Sequence, residues 1–211
     1  MVTVACVYRP GGGFCDEYVY RLRAGVKEYV QIPHRFVCMA PRRLRSVETL
    51  GFKQEWPGYW SKLELFRPGV FTGRVFYLDL DTILTGDITD LVADNSDFIC
   101  LTNWRGDGTH VASAVMGWNA DLDFSQIYTR FNLALRGRYM QSWERFGDQG
   151  WIQDNLPIPF ASYNLRYPNR IVSYKKHIQG VGAVPAEASI VCFHGKPRPH
   201  AVGWRLPERA A

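Results

Sequence analysis

The sequence predicts an α/β fold, and three observations carry that reading. Residues 3–8 form an apolar, β-favouring run that breaks at Arg9-Pro10-Gly11-Gly12-Gly13. Phe14, Tyr18, Leu22, Val26 and Val30 then recur every fourth residue, the spacing of an apolar helix face, and a second apolar run follows at 35–39. The first fifty residues therefore read as a βαβ unit. The third observation is another buried-strand run, Val75-Phe76-Tyr77-Leu78, which ends abruptly in Asp79-Leu80-Asp81-Thr82.

The remaining elements follow in order. Residues 60–66 (Trp-Ser-Lys-Leu-Glu-Leu-Phe) read as a helix leading through Arg67-Pro68-Gly69 to the strand at 74–78, and residues 86–91 as a turn with a short helix. Strands at 98–101 and 113–118 flank a polar loop at 103–108. Phe124, Ile127, Tyr128, Phe131 and Leu135 sit at i, i+3, i+4, i+7 and i+11, which predicts one helix. A short helix from Asp148-Gln149 to Leu156, with Asp148 placed to cap it, is ended by Pro157 and Pro159. Two short strands, 171–174 and 190–193, precede His194-Gly195-Lys196-Pro197-Arg198-Pro199. No repeat, low-complexity tract or linker interrupts the chain, so residues 1–211 read as a single α/β domain.

Composition narrows the function. A chain 46% hydrophobic and 21% charged is not disordered, and 14% aromatic residues suit a pocket that stacks on sugars or bases. The net charge of +5 suits an anionic ligand. Only Arg42, Arg43 and Arg45 cluster, however, so no nucleic-acid partner is expected. Cys6, Cys15, Cys38, Cys100 and Cys192 contain no Cys-x-x-Cys pair and read as reduced, mostly buried thiols with no zinc site. With neither a basic leader nor an apolar span, the expectation is a cytoplasmic protein without a transmembrane segment.

The chemistry begins at Asp79 and Asp81. On a strand their i, i+2 spacing would put both carboxylates on one face, where they repel unless a cation lies between them. A hard divalent ion, Mg²⁺ or Mn²⁺, suits such oxygen ligands and commonly holds a diphosphate. Turn formation by Asp81-Thr82 would need only one of the two carboxylates. Three other pieces place polar groups after apolar runs or at turns, where open α/β sheets gather ligands. They are Tyr8 with the glycine turn, Lys62 with Glu64, and His194 with Lys196.

Taken together, the strand ending at Tyr8, SKLELF, VFYLDLDTILTGDI, ASAVMGWN, Gly147-Asp148-Gln149 and HGKP resemble, in that order, the family-8 glycosyltransferases. These are galactinol-synthase- and glycogenin-like enzymes of the GT-A fold. The resemblance implies a single Rossmann-like GT-A domain with a mixed central sheet, which moves a hexose from a nucleotide sugar, UDP-glucose or UDP-galactose, to a sugar, lipid or protein acceptor with retention of configuration. It also implies a Mn²⁺ or Mg²⁺ ion held by Asp79, Asp81 and His194, with Asp79 reaching the ribose side of the nucleotide. Gly195 and Lys196 would hold the diphosphate, Tyr8 would lie near the base, Lys62 and Ser113 near the donor, and Asp148 and Gln149 beside the sugar as the catalytic pair.

One departure concerns the sugar. Where the family has Asn-Ser-Gly before an apolar strand, this chain has Ala112-Ser113-Ala114, which leaves Asn103 as the candidate amide. Two alternatives stand beside this reading. A haloacid-dehalogenase-like phosphatase also carries Asp-x-Asp after a strand, although here Thr82 and Ile83 replace its Gly-Thr. The other is a non-catalytic nucleotide-sugar-binding protein.

Overall fold

In the computed structural model, which describes residues 1–104, 108–141, 145–206 and 208–209, the N-terminal segment forms the expected βαβ unit. Strand β1 (Val2–Val7), helix α1 (Asp16–Tyr29) and strand β2 (His34–Met39) place β2 parallel to β1, with Val4 opposite Phe36. Strand β3 (Glu48–Leu50), absent from the sequence reading, extends this edge parallel to β2. Strand β4 (Arg74–Leu78) then lies on the other side of β1, also parallel to it. The chain thus winds to both sides of β1, and the crevice beyond the carboxyl ends of β1 and β4 is a switch point where such sheets bind ligands.

The run at β4 is apolar throughout because both faces are covered. Phe76 and Leu78 pack under α1 with Tyr18, Val19, Leu22 and Val26, whereas Val75 and Tyr77 face the opposite layer. The 3₁₀ segment Gly58–Phe66 belongs to that second layer, with every residue from Trp60 to Phe66 buried. After β4 come β5 (Thr82–Leu84), the short helix α2 (Thr89–Ala93), β6 (Phe98–Thr102) and β7 (Val111–Asn119). β7 pairs antiparallel with both β4 and β6, which makes the sheet mixed as expected. The central part of the polar loop, 105–107, lies outside the described residues.

The helix expected from Phe124 to Leu135 is not continuous. Helix α3 (Gln126–Thr129) stops, and a 3₁₀ segment, Leu133–Met140, starts after Asn132, whose side chain accepts from the Ala134 amide at 3.0 Å. The apolar spacing is satisfied another way, because Phe131 stacks on Trp60 at 4.7 Å and packs edge-on against Trp56 and Trp151. Helix α4 (Gly147–Asp154) follows, then β8 (Ala161–Ser162), helix α5 (Tyr163–Arg166) and β9 (Ile171–Ser173). β8 completes the seven-stranded sheet, β3-β2-β1-β4-β7-β6-β8.

A second sheet of three strands joins distant parts of the sequence. β10 (Ile190–Cys192) pairs parallel with β9 and antiparallel with β5, with Cys192 opposite Thr82. The strand that follows Asp81 is therefore fastened to the strand that precedes His194. All five cysteines are free thiols, and four of them are buried. No helix among the described residues is long and apolar enough to cross a membrane.

Candidate active site

A cavity of about 890 Å³ opens at the switch point. Its wall includes the ends of β1 and β4, the 3₁₀ segment, β7, the start of α4 and the turns after β9 and β10. That volume falls within the range of ligand pockets. A hollow bounded only by residues 43–48 is formed by one continuous segment and gathers no groups from other elements.

Lys62 organises the cavity floor. Its ammonium lies 3.0 Å from Asp79 Oδ1 and 2.8 Å from Asp148 Oδ2, and donates to Ser113 Oγ at 2.9 Å. The Ser113 hydroxyl in turn donates to Asp148 Oδ2 at 2.7 Å. Tyr77 O–H donates to Asp79 Oδ1 at 2.5 Å, and the Lys62 ammonium sits 5.3 Å from the Tyr77 ring centre. Burial would lower the Lys62 pKa, but the two carboxylates outweigh it and hold the ammonium charged. Asp79 is pushed up to about 6, first by burial and then by Asp81 and Asp148, against the pull of Lys62. The two directions agree once the charges are counted, since one ammonium is divided between the buried Asp148 and the half-buried Asp79 and the trio keeps an excess negative charge.

Asp148 does not cap its helix. The chain enters α4 through Phe146, and the Asp148 carboxylate turns to Lys62 and Ser113 instead. Gly150 explains why the helix can start here: a Cβ at that position would meet the Arg145 carbonyl oxygen at 2.1 Å. Gln149 is half-buried and lines the cavity. Glu64, adjacent in sequence to the Lys62 region, is structural. It is fully buried, accepts from the Lys53 and Gln54 amides at 2.9 and 2.5 Å, and pairs with Arg67 at 2.5 Å.

Strand β4 stops at Leu78, so the carboxylates leave a turn, closed by the Thr82 amide donating to the Asp79 carbonyl at 3.1 Å, and not an extended strand. Both still line the cavity. Asp81 is paired with Arg198 and accepts from the Gly195 amide at 3.3 Å. Gly195 has φ of 103°, a conformation that favours glycine. His194 has φ of 33°, a left-handed backbone that costs a non-glycine residue about 1 kcal/mol or more. Its Nε2 lies 2.6 Å from Ser173 Oγ and its ring stacks on Trp104 at 5.5 Å. Among the described residues no group of three His, Cys, Asp or Glu side chains is gathered as a metal shell, because His194 faces Ser173 while Asp79 and Asp81 face Lys62 and Arg198.

Two expected binding residues do not line the cavity. Tyr8 is buried beneath α1, 3% exposed, and its phenol is pushed up to about 12 by that burial and by Asp16; Val7 and Arg9 beside it line the wall instead. Lys196 points to solvent. The cations that do line the cavity are Arg9, Lys62, Lys175, Lys176 and Arg198. Lys175 donates to the His194 carbonyl at 2.9 Å, and Lys176 bonds the Trp104 carbonyl. The sequence signals for the unforeseen cations were the pair Lys175-Lys176 just after a strand and the second basic residue of Lys196-Pro197-Arg198. Asn103 also lines the cavity, accepts from the His110 amide at 3.2 Å, and has a buried Nδ2 that meets no partner among the described residues.

No protein-family model matches the sequence, and no curated protein matches it. Solved structures do match its fold. The glycosyltransferase GlyE of Streptococcus pneumoniae TIGR4 superimposes with a TM-score of 0.60 at 15% identity over 94% of this chain, which spans 55% of the GlyE chain. The galactosyltransferase LgtC, in complex with donor and acceptor sugar analogues, gives a TM-score of 0.59 at 11% identity, covering 94% of this chain and 89% of its own. An active-site mutant of LgtC gives 0.57 at 12% identity. The chain thus has the mixed α/β fold of GT-A glycosyltransferases.

Proposed function

We infer that the cavity binds a nucleotide-sugar donor and that the protein is a glycosyltransferase, moving a hexose from UDP-glucose or UDP-galactose to a sugar, lipid or protein acceptor with retention of configuration. The observation that carries this reading is the convergence of Asp79, Asp81 and Asp148 with Lys62, Lys175, Lys176 and Arg198 around one cavity at the switch point of a GT-A fold. A donor of this class brings a diphosphate for the cations and a sugar for the carboxylate side. The galactosyltransferase LgtC, whose fold matches, was crystallised with donor and acceptor sugar analogues, and the fold favours this reading over the aspartyl-phosphatase alternative.

Asp79 and Asp81 fit a Mn²⁺ or Mg²⁺ ion by their hard oxygen donors. The three carboxylates of the cavity exceed the charge of Lys62 and Arg198, the two cations paired with them, and Asp81 already draws a cationic group to Oδ2. These two residues would hold the ion, which supplies a Lewis acid to the departing diphosphate. Lys175 and Lys176 add positive charge along the same wall, where the leaving group gains negative charge as the anomeric bond breaks. Lys62 fixes Asp148 and Asp79 in one orientation, so no reorganisation is needed as oxocarbenium character develops on the sugar. Asp148 and Gln149 lie on that side as the catalytic pair, with Ser113 locking the Asp148 carboxylate. Asn103, which lines the cavity, is the amide available to a sugar hydroxyl in place of the one that Ala112 lacks.

The test is hydrolysis of UDP-hexoses with and without Mn²⁺. Asp81→Ala is expected to abolish the metal-dependent rate with an unchanged circular dichroism spectrum, and an undiminished rate would refute the assignment. Asn103→Ala is expected to raise KM for the UDP-hexose by about tenfold while leaving UDP affinity unchanged, the loss of one sugar hydrogen bond.

A further inference from the structure

We propose that Arg198 is an exchangeable counter-ion, held by Asp81 in the donor-free protein and passed to the diphosphate of the donor when Asp81 is otherwise engaged. The proposal rests on the donor reading above and adds to it a residue that the resemblance does not assign.

Four observations support it. First, Arg198 pairs with Asp81 across 117 residues of sequence, and the Arg198 side chain keeps 21% of its surface exposed where the Asp81 side chain keeps 6%. The carboxylate is therefore the enclosed partner and the guanidinium the more accessible one. Second, both residues line the donor cavity, so the guanidinium can face an anion there without leaving the pocket.

Third, the Arg198 backbone is anchored. It opens the 3₁₀ turn Pro199–Val202, in which His200 Nδ1 lies 2.5 Å from the Tyr18 hydroxyl, and Trp204 beyond the turn packs on Tyr18 at 4.5 Å. The stem is held on α1 while the head remains near the cavity. Fourth, the guanidinium lies 4.1 Å from the centre of the Phe14 ring, which also lines the cavity. A planar cation resting on an aromatic face can exchange one oxyanion for another while keeping that contact.

The consequence is a linkage. While Asp81 holds Arg198, the guanidinium contributes little to nucleotide binding, and anything that takes the Asp81 carboxylate, including a divalent ion, raises nucleotide affinity through Arg198. Coupling of this kind is measurable without metal and without turnover.

The experiment is a double-mutant cycle of UDP binding by calorimetry in EDTA, using the parent, Asp81→Asn, Arg198→Met and the double variant. Thermal unfolding checks that each is folded, and Arg198→Lys serves as a charge-retaining control. Asp81→Asn is expected to bind metal-free UDP about tenfold more tightly than the parent, the scale of one charge-assisted hydrogen bond. Arg198→Met is expected to cost about tenfold in the Asp81→Asn background and less than about twofold in the parent. Arg198→Lys in the Asp81→Asn background is expected to keep part of the gain. An equal cost of Arg198→Met in both backgrounds would show that the two side chains act independently and would overturn the exchange. Failure of all four proteins to bind UDP, with or without Mn²⁺, would overturn the donor reading and the exchange together.

Discussion

Two charge clusters in this protein are built from similar parts and reach opposite electrostatic ends. Near the start of β6, the Asp94 carboxylate, 2% exposed, receives Arg166 at 2.8 Å, Tyr167 O–H at 2.9 Å and the Ser96 amide at 2.9 Å, with Arg74 3.9 Å away. Burial opposes its ionisation, but these donors prevail and hold its pKa at about 2. In the cavity, Asp79 shares a single lysine with Asp148, lies close to Asp81, and is pushed up to about 6. One carboxylate is oversupplied with cations and the other undersupplied. The Asp94 carboxylate is met by more donors than it needs, and Arg74 beside it keeps buried guanidinium nitrogens without a hydrogen-bond partner among the described residues, whereas the cavity cluster is left with excess negative charge of the kind a cation would meet.

Four substitutions sharpen or break this contrast. The largest effect is expected at Lys62→Met, which leaves the buried Asp148 and the half-buried Asp79 without their shared cation. It should lose about 3–5 kcal/mol of stability in chemical denaturation, together with all donor turnover. Asp94→Asn removes the carboxylate from its arginines and should cost about 2 kcal/mol with UDP affinity unchanged. The same cluster gives a pH signature. A carboxyl near 3.9 in the unfolded chain and about 2 in the folded one stabilises fully above about pH 4, and that stabilisation is lost as pH falls through about 2. The parent should therefore lose stability between about pH 4 and 2 through Asp94, and Asp94→Asn should lack this component in urea titrations across that range.

Asp79→Asn reverses the sign. Removing an undersupplied charge should leave stability equal or raise it by about 1 kcal/mol while donor binding is lost, because Asp148 remains for Lys62. A destabilised Asp79→Asn beside an unaffected Asp94→Asn would break the contrast outright. The smallest effect is expected at Ser113→Ala, which removes one hydroxyl from the Lys62 network and should cost about 1 kcal/mol with a modest loss of turnover.

The sequence legibility of these features follows from their physics. β4 and its carboxylates stood out because a strand covered on both faces must be apolar up to its last residue, so Asp79 interrupts a strong pattern. The βαβ start was equally plain, since α1 buries one regular stripe of Tyr18, Leu22 and Val26. The segment after Phe124 misled because Phe131 has a helical neighbour spacing in sequence and an aromatic stacking role in space. Asp148 was expected to cap α4 because its partner Lys62 lies far away in sequence, and no local pattern reveals a charge pair of that kind. β5 was missed because three residues pair only with a strand more than a hundred positions later. Arg198, in a proline-rich segment, looks like a solvated tail until its ion pair with Asp81 is seen.

The three-stranded sheet has a further consequence, for the order in which the molecule is made. Asp81 reaches Gly195 and Arg198 only after β10 has paired with β5, so this side of the cavity wall is closed by contacts between segments far apart in sequence. Long loop closures of this kind are slow and are stabilised only after the intervening chain has collapsed. A nascent polypeptide that has already folded β1, α1 and β2 has no assembled pocket until residues beyond Arg198 leave the ribosome. Acquisition of nucleotide affinity during refolding should therefore lag the recovery of helical signal, which makes ligand binding a reporter of the last step of folding.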